Sequence, residues 1–110
     1  MKSTNTNTDP VVAAFAAKVR AALGANVTAI YWFGSRARGE GTPDSDYDVL
    51  IETRRRLTEQ ERDSVADVAI DFSAEQGVLF DIHARTSESM ARDAERSPLI
   101  TVVLREAVPA

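Results

Sequence analysis

Hydrophobic positions along the chain follow two rhythms. Val12, Phe15, Ala16, Val19 and Leu23 recur at helical spacing behind Asp9-Pro10, a capping residue followed by proline at the first helical position, and Gly24 supplies the stop. Residues 27–33 (VTAIYWF) are β-branched and aromatic between turn signals, which predicts a largely buried strand. A polar, glycine-bearing stretch follows at 34–45 (GSRARGEGTPDS), and strand character returns at 46–52 (DYDVLIE). Thr58 and Glu61 have the spacing of a capping box, and Val65, Val68, Ala69 and Phe72 form the inner face of the helix they open, which ends at Gly77. Residues 78–84 (VLFDIHA) read as a third strand. Ser87 caps a short helix to about Arg96, and Ser97-Pro98 opens a last helix over 99–107 with Ile100, Val103 and Leu104 on one side.

The order is therefore α-β-loop-β-α-β-α-α, without repeats or an internal linker. It predicts an α/β (α+β) fold: a small mixed three-stranded sheet with about four helices, lying on one side of the sheet. With 110 residues the chain has room for one domain, expected over 9–110, behind a Ser/Thr/Asn-rich tail at 1–8. Its net charge of −4 argues against a general nucleic-acid-binding face, so no direct nucleic-acid contact is expected. The absence of cysteine excludes disulfides, a thiolate zinc site and a cysteine nucleophile, and is consistent with the cytoplasm. No apolar stretch approaches the ~20 residues of a bilayer span, so no membrane association is expected.

The polar residues around the second strand change the picture. Alternation along a strand turns Asp46 and Asp48 to one face, with Cα atoms roughly 7 Å apart. Two carboxylates so placed repel unless a cation lies between them, and oxygen donors at this spacing suit Mg²⁺. The apolar run Val49-Leu50-Ile51 makes the strand interior, where a merely structural pair of aspartates would pay an uncompensated desolvation penalty. Gly34-Ser35, directly after the first strand, offers backbone N–H groups and a hydroxyl to an anion, and Arg36 and Arg38 add cationic donors nearby. Asp81, between Phe80 and Ile82, is an unusual residue inside an apolar strand. If that strand lies beside the Asp46/Asp48 strand, the three carboxylates can hold two Mg²⁺ ions across an in-line displacement at phosphorus, and Asp81 can also serve as general base. His83 shares the face of Asp81; it reads more simply as a hydrogen-bonded strand-end histidine than as a ligand. The basic run Arg54-Arg55-Arg56 reads as a solvated turn, with a contact to RNA or an acidic partner as the sharper alternative.

Taken together, Gly34-Ser35-Arg36-Ala37-Arg38-Gly39 and Ser45-Asp46-Tyr47-Asp48-Val49-Leu50-Ile51 resemble the two-block signature of the DNA polymerase β-like nucleotidyltransferase superfamily, in the form of its minimal nucleotidyltransferase branch. The resemblance extends from about residue 9 to the end. It implies the fold of that superfamily, binding of a triphosphate (ATP) by Gly34 and Ser35, metal binding by Asp46 and Asp48, and Asp81 as the third carboxylate. Arg36 and Arg38 would then serve the phosphates or a partner, and Ser45 would bind or position beside the aspartate pair. One departure is Glu106-Ala107, where the family usually has Glu-Gly; it bears on how the last helix ends. Minimal members are commonly antitoxins whose partner is a helical HEPN-type ribonuclease toxin, and the resemblance implies AMP transfer to a tyrosine of that toxin. Two alternatives stay open: neutralisation of the toxin by occlusion without catalysis, and a catalytic subunit of a two-chain enzyme that modifies small molecules. A partner-binding face should expose an apolar patch, expected on the first or the last helix.

Overall fold

In the computed structural model, residues 9–110 are described; the tail at 1–8 lies outside the described residues. The first helix, α1 (Pro10–Leu23), begins where Asp9 accepts hydrogen bonds from the N–H groups of Val11 (2.8 Å) and Val12 (3.4 Å). Proline at its first position loses no bond there, because that N–H would be unpaired in any helix. A short 3₁₀ turn, Gly24–Asn26, leads into β1 (Val27–Phe33). The second strand, β2 (Tyr47–Thr53), is followed by α2 (Glu59–Gln76). Its predicted capping box is present: the Glu61 N–H donates to Thr58 Oγ1 at 3.1 Å and the Thr58 N–H to Glu61 Oε1 at 2.9 Å. Arg55 grips the same carboxylate at 2.8 Å, and with the cap it holds Glu61 down at a pKa of about 2. Then come β3 (Phe80–Thr86), α3 (Ser87–Asp93), α4 (Pro98–Glu106) and a two-residue strand, β4 (Val108–Pro109).

The mixed α+β architecture agrees with the sequence reading, with three corrections. The sheet has four strands in the order β3-β2-β1-β4, not three. Residues 108–109 are too short to carry a periodicity of their own; they pair with β1, Val108 against Trp32 and Pro109 against Tyr31, because α4 delivers them to that edge. Helices also cover both faces rather than one. Ile30, Val49 and Ile51 pack with Phe15 and Val19 of α1 and Val65 and Phe72 of α2. Phe33 and Leu50 pack on the other face with Met90 of α3 and Ile100 and Val103 of α4. The uninterrupted run Val49-Leu50-Ile51 is what a strand buried on both faces requires. Finally, boundaries move. Asp46 precedes β2, β3 runs two residues later than expected, and Thr86 rather than Ser87 caps α3, accepting from the Ser89 N–H at 3.0 Å.

The pairing of β1 with β2 is antiparallel, and that of β2 with β3 parallel. Phe33 faces Asp48 across the first pair, and Asp48 faces Asp81 across the second. At the tip of the sheet Phe80 stacks on Phe15 with 4.1 Å between the rings, and Phe72 meets both edge-on. This aromatic packing anchors the start of β3, and with it Asp81, to α1 and α2.

Candidate active site

Three elements converge where β1 ends and β2 and β3 begin. The chain leaves β1 at Gly34 with φ of 87°, a conformation that favours glycine. A Cβ at this position would run into the Asp48 carboxylate. Two constraints, backbone conformation and lateral room, therefore demand glycine here. Residues 35–40 form a single helical turn closed by a Schellman pattern: the Glu40 N–H donates to the Ser35 carbonyl at 2.8 Å and the Gly39 N–H to the Arg36 carbonyl at 3.1 Å, with Gly39 at φ 78°. The leading N–H groups have no partner within the turn, and they lie at the strand end beside Asp48.

Asp48 is half-buried, whereas Asp46 and Asp81 are exposed. Burial, then the neighbouring charge and hydrogen bond of Asp81, and then the charge of Asp46 push the Asp48 carboxyl above its ordinary 3.8; His83 pulls the other way. The three predicted carboxylates are thus one electrostatic unit around Asp48. Among the described residues they are not drawn up into a closed ligand cage. Hard oxygen donors, mutual repulsion and open coordination positions fit a Mg²⁺-like divalent cation, which keeps water and substrate phosphate among its ligands. His83 Nε2 lies 3.4 Å from Asp81 Oδ2, and its ring is 6.1 Å from that of Phe33. His83 thus shares the face of Asp81, as strand alternation predicts.

The arginines are placed differently from the glycine turn and the carboxylates. Arg36 donates to the carbonyls of Ser45 (2.7 Å) and Pro43 (2.9 Å) and to the Tyr47 hydroxyl (3.3 Å), and its guanidinium lies 4.3 Å from the centre of the Tyr47 ring. It binds the loop between the two signature blocks to β2. Gly41 belongs to this arrangement, since a Cβ there would press on Arg36. Arg38 is exposed and pairs with Glu40 (3.0 Å) and with Glu106 of α4 (2.9 Å). Ser45 holds the loop turn, accepting from the Thr42 N–H at 2.9 Å. Two residues that the sequence did not link to the site complete the frame. Asp9 accepts from the Tyr47 hydroxyl at 3.0 Å, and Glu106 ties α4 to the turn after Gly34. Nothing in the sequence signals these partners, because 38 and 68 positions separate them.

The glycine turn thus lies beside a strand-borne carboxylate cluster at one end of the sheet. Residues 14–107 match the nucleotidyltransferase domain family, and the chain belongs to it. The match includes both signature blocks and Asp81, and it supports the polymerase β-like superfamily. None of the curated proteins compared with the chain matches it.

Two predictions follow from this geometry. Gly34→Ala meets both the positive φ and the Asp48 carboxylate, so it should lower stability by about 1–3 kcal/mol and abolish triphosphate binding in calorimetry while circular dichroism keeps its α+β shape. Asp48→Asn should instead stabilise the metal-free protein. A raised carboxyl pKa in the folded state means that deprotonation costs folding stability, so this cost is full well above the folded pKa and vanishes below 3.8. In thermal melts without metal, Asp48→Asn should therefore exceed wild type at pH 7, with the gap closing as pH falls toward 3.8. Adding Mg²⁺ should raise the wild-type midpoint and leave the variant unmoved.

Proposed function

We propose that this chain is a minimal nucleotidyltransferase that moves AMP from ATP, with Mg²⁺, onto a tyrosine hydroxyl of a helical HEPN-type ribonuclease toxin, and so acts as its antitoxin in the cytoplasm. The observation that carries the reading is the lateral register of Asp48 with Asp81, next to a glycine turn that admits no side chain. Asp46, Asp48 and Asp81 would hold the metal, which would supply charge neutralisation for the phosphates. The backbone N–H groups after Gly34 hold the triphosphate in place. Asp81, exposed at the rim, accepts the proton of the incoming hydroxyl. That oxygen bonds to the α-phosphorus, the bond from the α-phosphorus to the bridging oxygen breaks, and pyrophosphate leaves with the electron pair.

The exposure of Asp46 and Asp81 supports an acceptor delivered on the surface of another protein rather than one enclosed in a cavity. Among large apolar side chains, Leu104 is 55% exposed on α4, one of the two helices on which a partner patch was expected; Ile70 and Leu79 are exposed elsewhere, on α2 and just before β3. Intact mass spectrometry of the helical partner after incubation with the chain, ATP and Mg²⁺ tests the reading. Mass steps of AMP, absent with Asp46→Asn, are expected. An unmodified partner in a stable complex would instead mean neutralisation by occlusion.

A further inference from the structure

At the opposite end of β2 and β3 from the carboxylates, the cations of the chain collect. Arg54, Arg55 and Arg56 follow β2, Arg85 lies near the end of β3 and Arg92 sits on α3; they line a concavity of about 810 Å³. A smaller hollow shares Arg56 and Arg85 and carries the groove on to Arg62. Six of the 13 basic residues of a chain with net charge −4 thus share one groove. The sequence shows only the three consecutive arginines; the parallel pairing of β2 with β3 brings Arg85 and Arg92 to them.

Carboxylates neutralise this groove only in part, although Glu88 and Asp93 are among its lining residues. Arg55 is held by Glu61 and Arg92 by Asp93. Arg54, Arg62 and Arg85 donate instead to backbone carbonyls, of Ala25 (2.8 Å), Leu57 (3.0 Å) and Ala84 (3.3 Å). Such bonds orient a guanidinium without cancelling its charge. Among the described residues, Arg54, Arg56, Arg62 and Arg85 have no carboxylate at ion-pair distance. Guanidiniums held this way offer paired N–H donors to an oxyanion. No aromatic side chain lines either hollow, so there is no platform on which a base can stack. The larger hollow has Ala84 as its one aliphatic lining residue, which gives a protein partner no apolar anchor.

We infer that this groove is a second anion site, which binds a phosphate-bearing polyanion through its phosphates and not through its bases. It lies about six strand residues, ~20 Å, from Asp48, beyond the reach of a triphosphate held at Gly34. It is independent of the transfer reaction, and it revises the expectation, drawn from net charge alone, that the chain avoids nucleic acid.

Fluorescence anisotropy of the full chain with a labelled oligouridylate in low salt tests the site. Arg56→Glu/Arg85→Glu should weaken binding at least tenfold, and Arg56→Gln/Arg85→Gln should flatten the log–log salt dependence by about 1.4, the loss of two single-strand phosphate contacts. Asp46→Asn should bind like wild type. Displacement by inorganic tripolyphosphate at equal phosphate concentration assigns the site to phosphate of any source; resistance to it, with the arginine dependence intact, assigns it to a nucleic-acid backbone. Absence of binding, equal binding by the Gln variant and wild type, or equally effective displacement by polyglutamate would overturn the inference.

Discussion

One register decides what this molecule can do. β2 lies between an antiparallel and a parallel neighbour, and Asp48 is opposite Phe33 on one side and Asp81 on the other. A slip of one residue would turn Asp48 into the core beneath α1 and α2 and put Val49 where the carboxylate stands. Apolar packing on both faces prevents that slip. Val49 and Ile51 fill one cluster and Leu50 the other, each with no exposed surface. Hydrophobic burial, the largest favourable contribution to folding, thereby holds together carboxylates that repel one another. The cost appears in the raised pKa of Asp48.

The remaining parts of the site support that pair. Gly34 is where the backbone passes closest to Asp48, and the turn after it is tied at two points. Arg36 joins the loop to Tyr47, whose hydroxyl reaches the residue that caps α1. Arg38 joins the turn to Glu106 at the end of α4. Arg36 bridges two carbonyls and an aromatic face at once, which its planar fork of donors allows and a lysine would not reproduce. The two arginines of the first signature block therefore hold the turn after Gly34 and its connecting loop in place. The same frame explains the ending of α4. With Ala107 in place of glycine the chain has no left-handed cap; Ala107 is extended, at φ −71° and ψ 150°, and the chain continues directly into β4.

Much of this was legible in the sequence because it depends on local chemistry. Asp9-Pro10, Thr58 with Glu61, and Ser97-Pro98 mark helix starts through bonds made within three residues. Alternation placed Asp48 and His83 on the site face; Tyr47, on the other face of β2, is buried with Trp32 and Val12. What the sequence hid was set by distant partners. The fourth strand is two residues long and exists only because β1 has a free edge beside the end of α4. Coverage of both faces was written in the run Val49-Leu50-Ile51, but nothing local to α3 or α4 shows which face of the sheet they cover. The Arg54-Arg55-Arg56 run is the exposed bend that the sequence predicted, but its companions in the concavity, Arg85 and Arg92, come from the next strand and helix.

The central claim is that the Asp46, Asp48 and Asp81 cluster and the turn after Gly34 together bind a metal–triphosphate complex. Anomalous diffraction from crystals grown with Mn²⁺ and a non-hydrolysable ATP analogue tests it most directly. The account predicts an anomalous peak between Asp48 and Asp81, with triphosphate oxygens on the backbone N–H groups that follow Gly34. A metal peak away from these carboxylates, or a triphosphate seated in the arginine groove with the carboxylates empty, would contradict it.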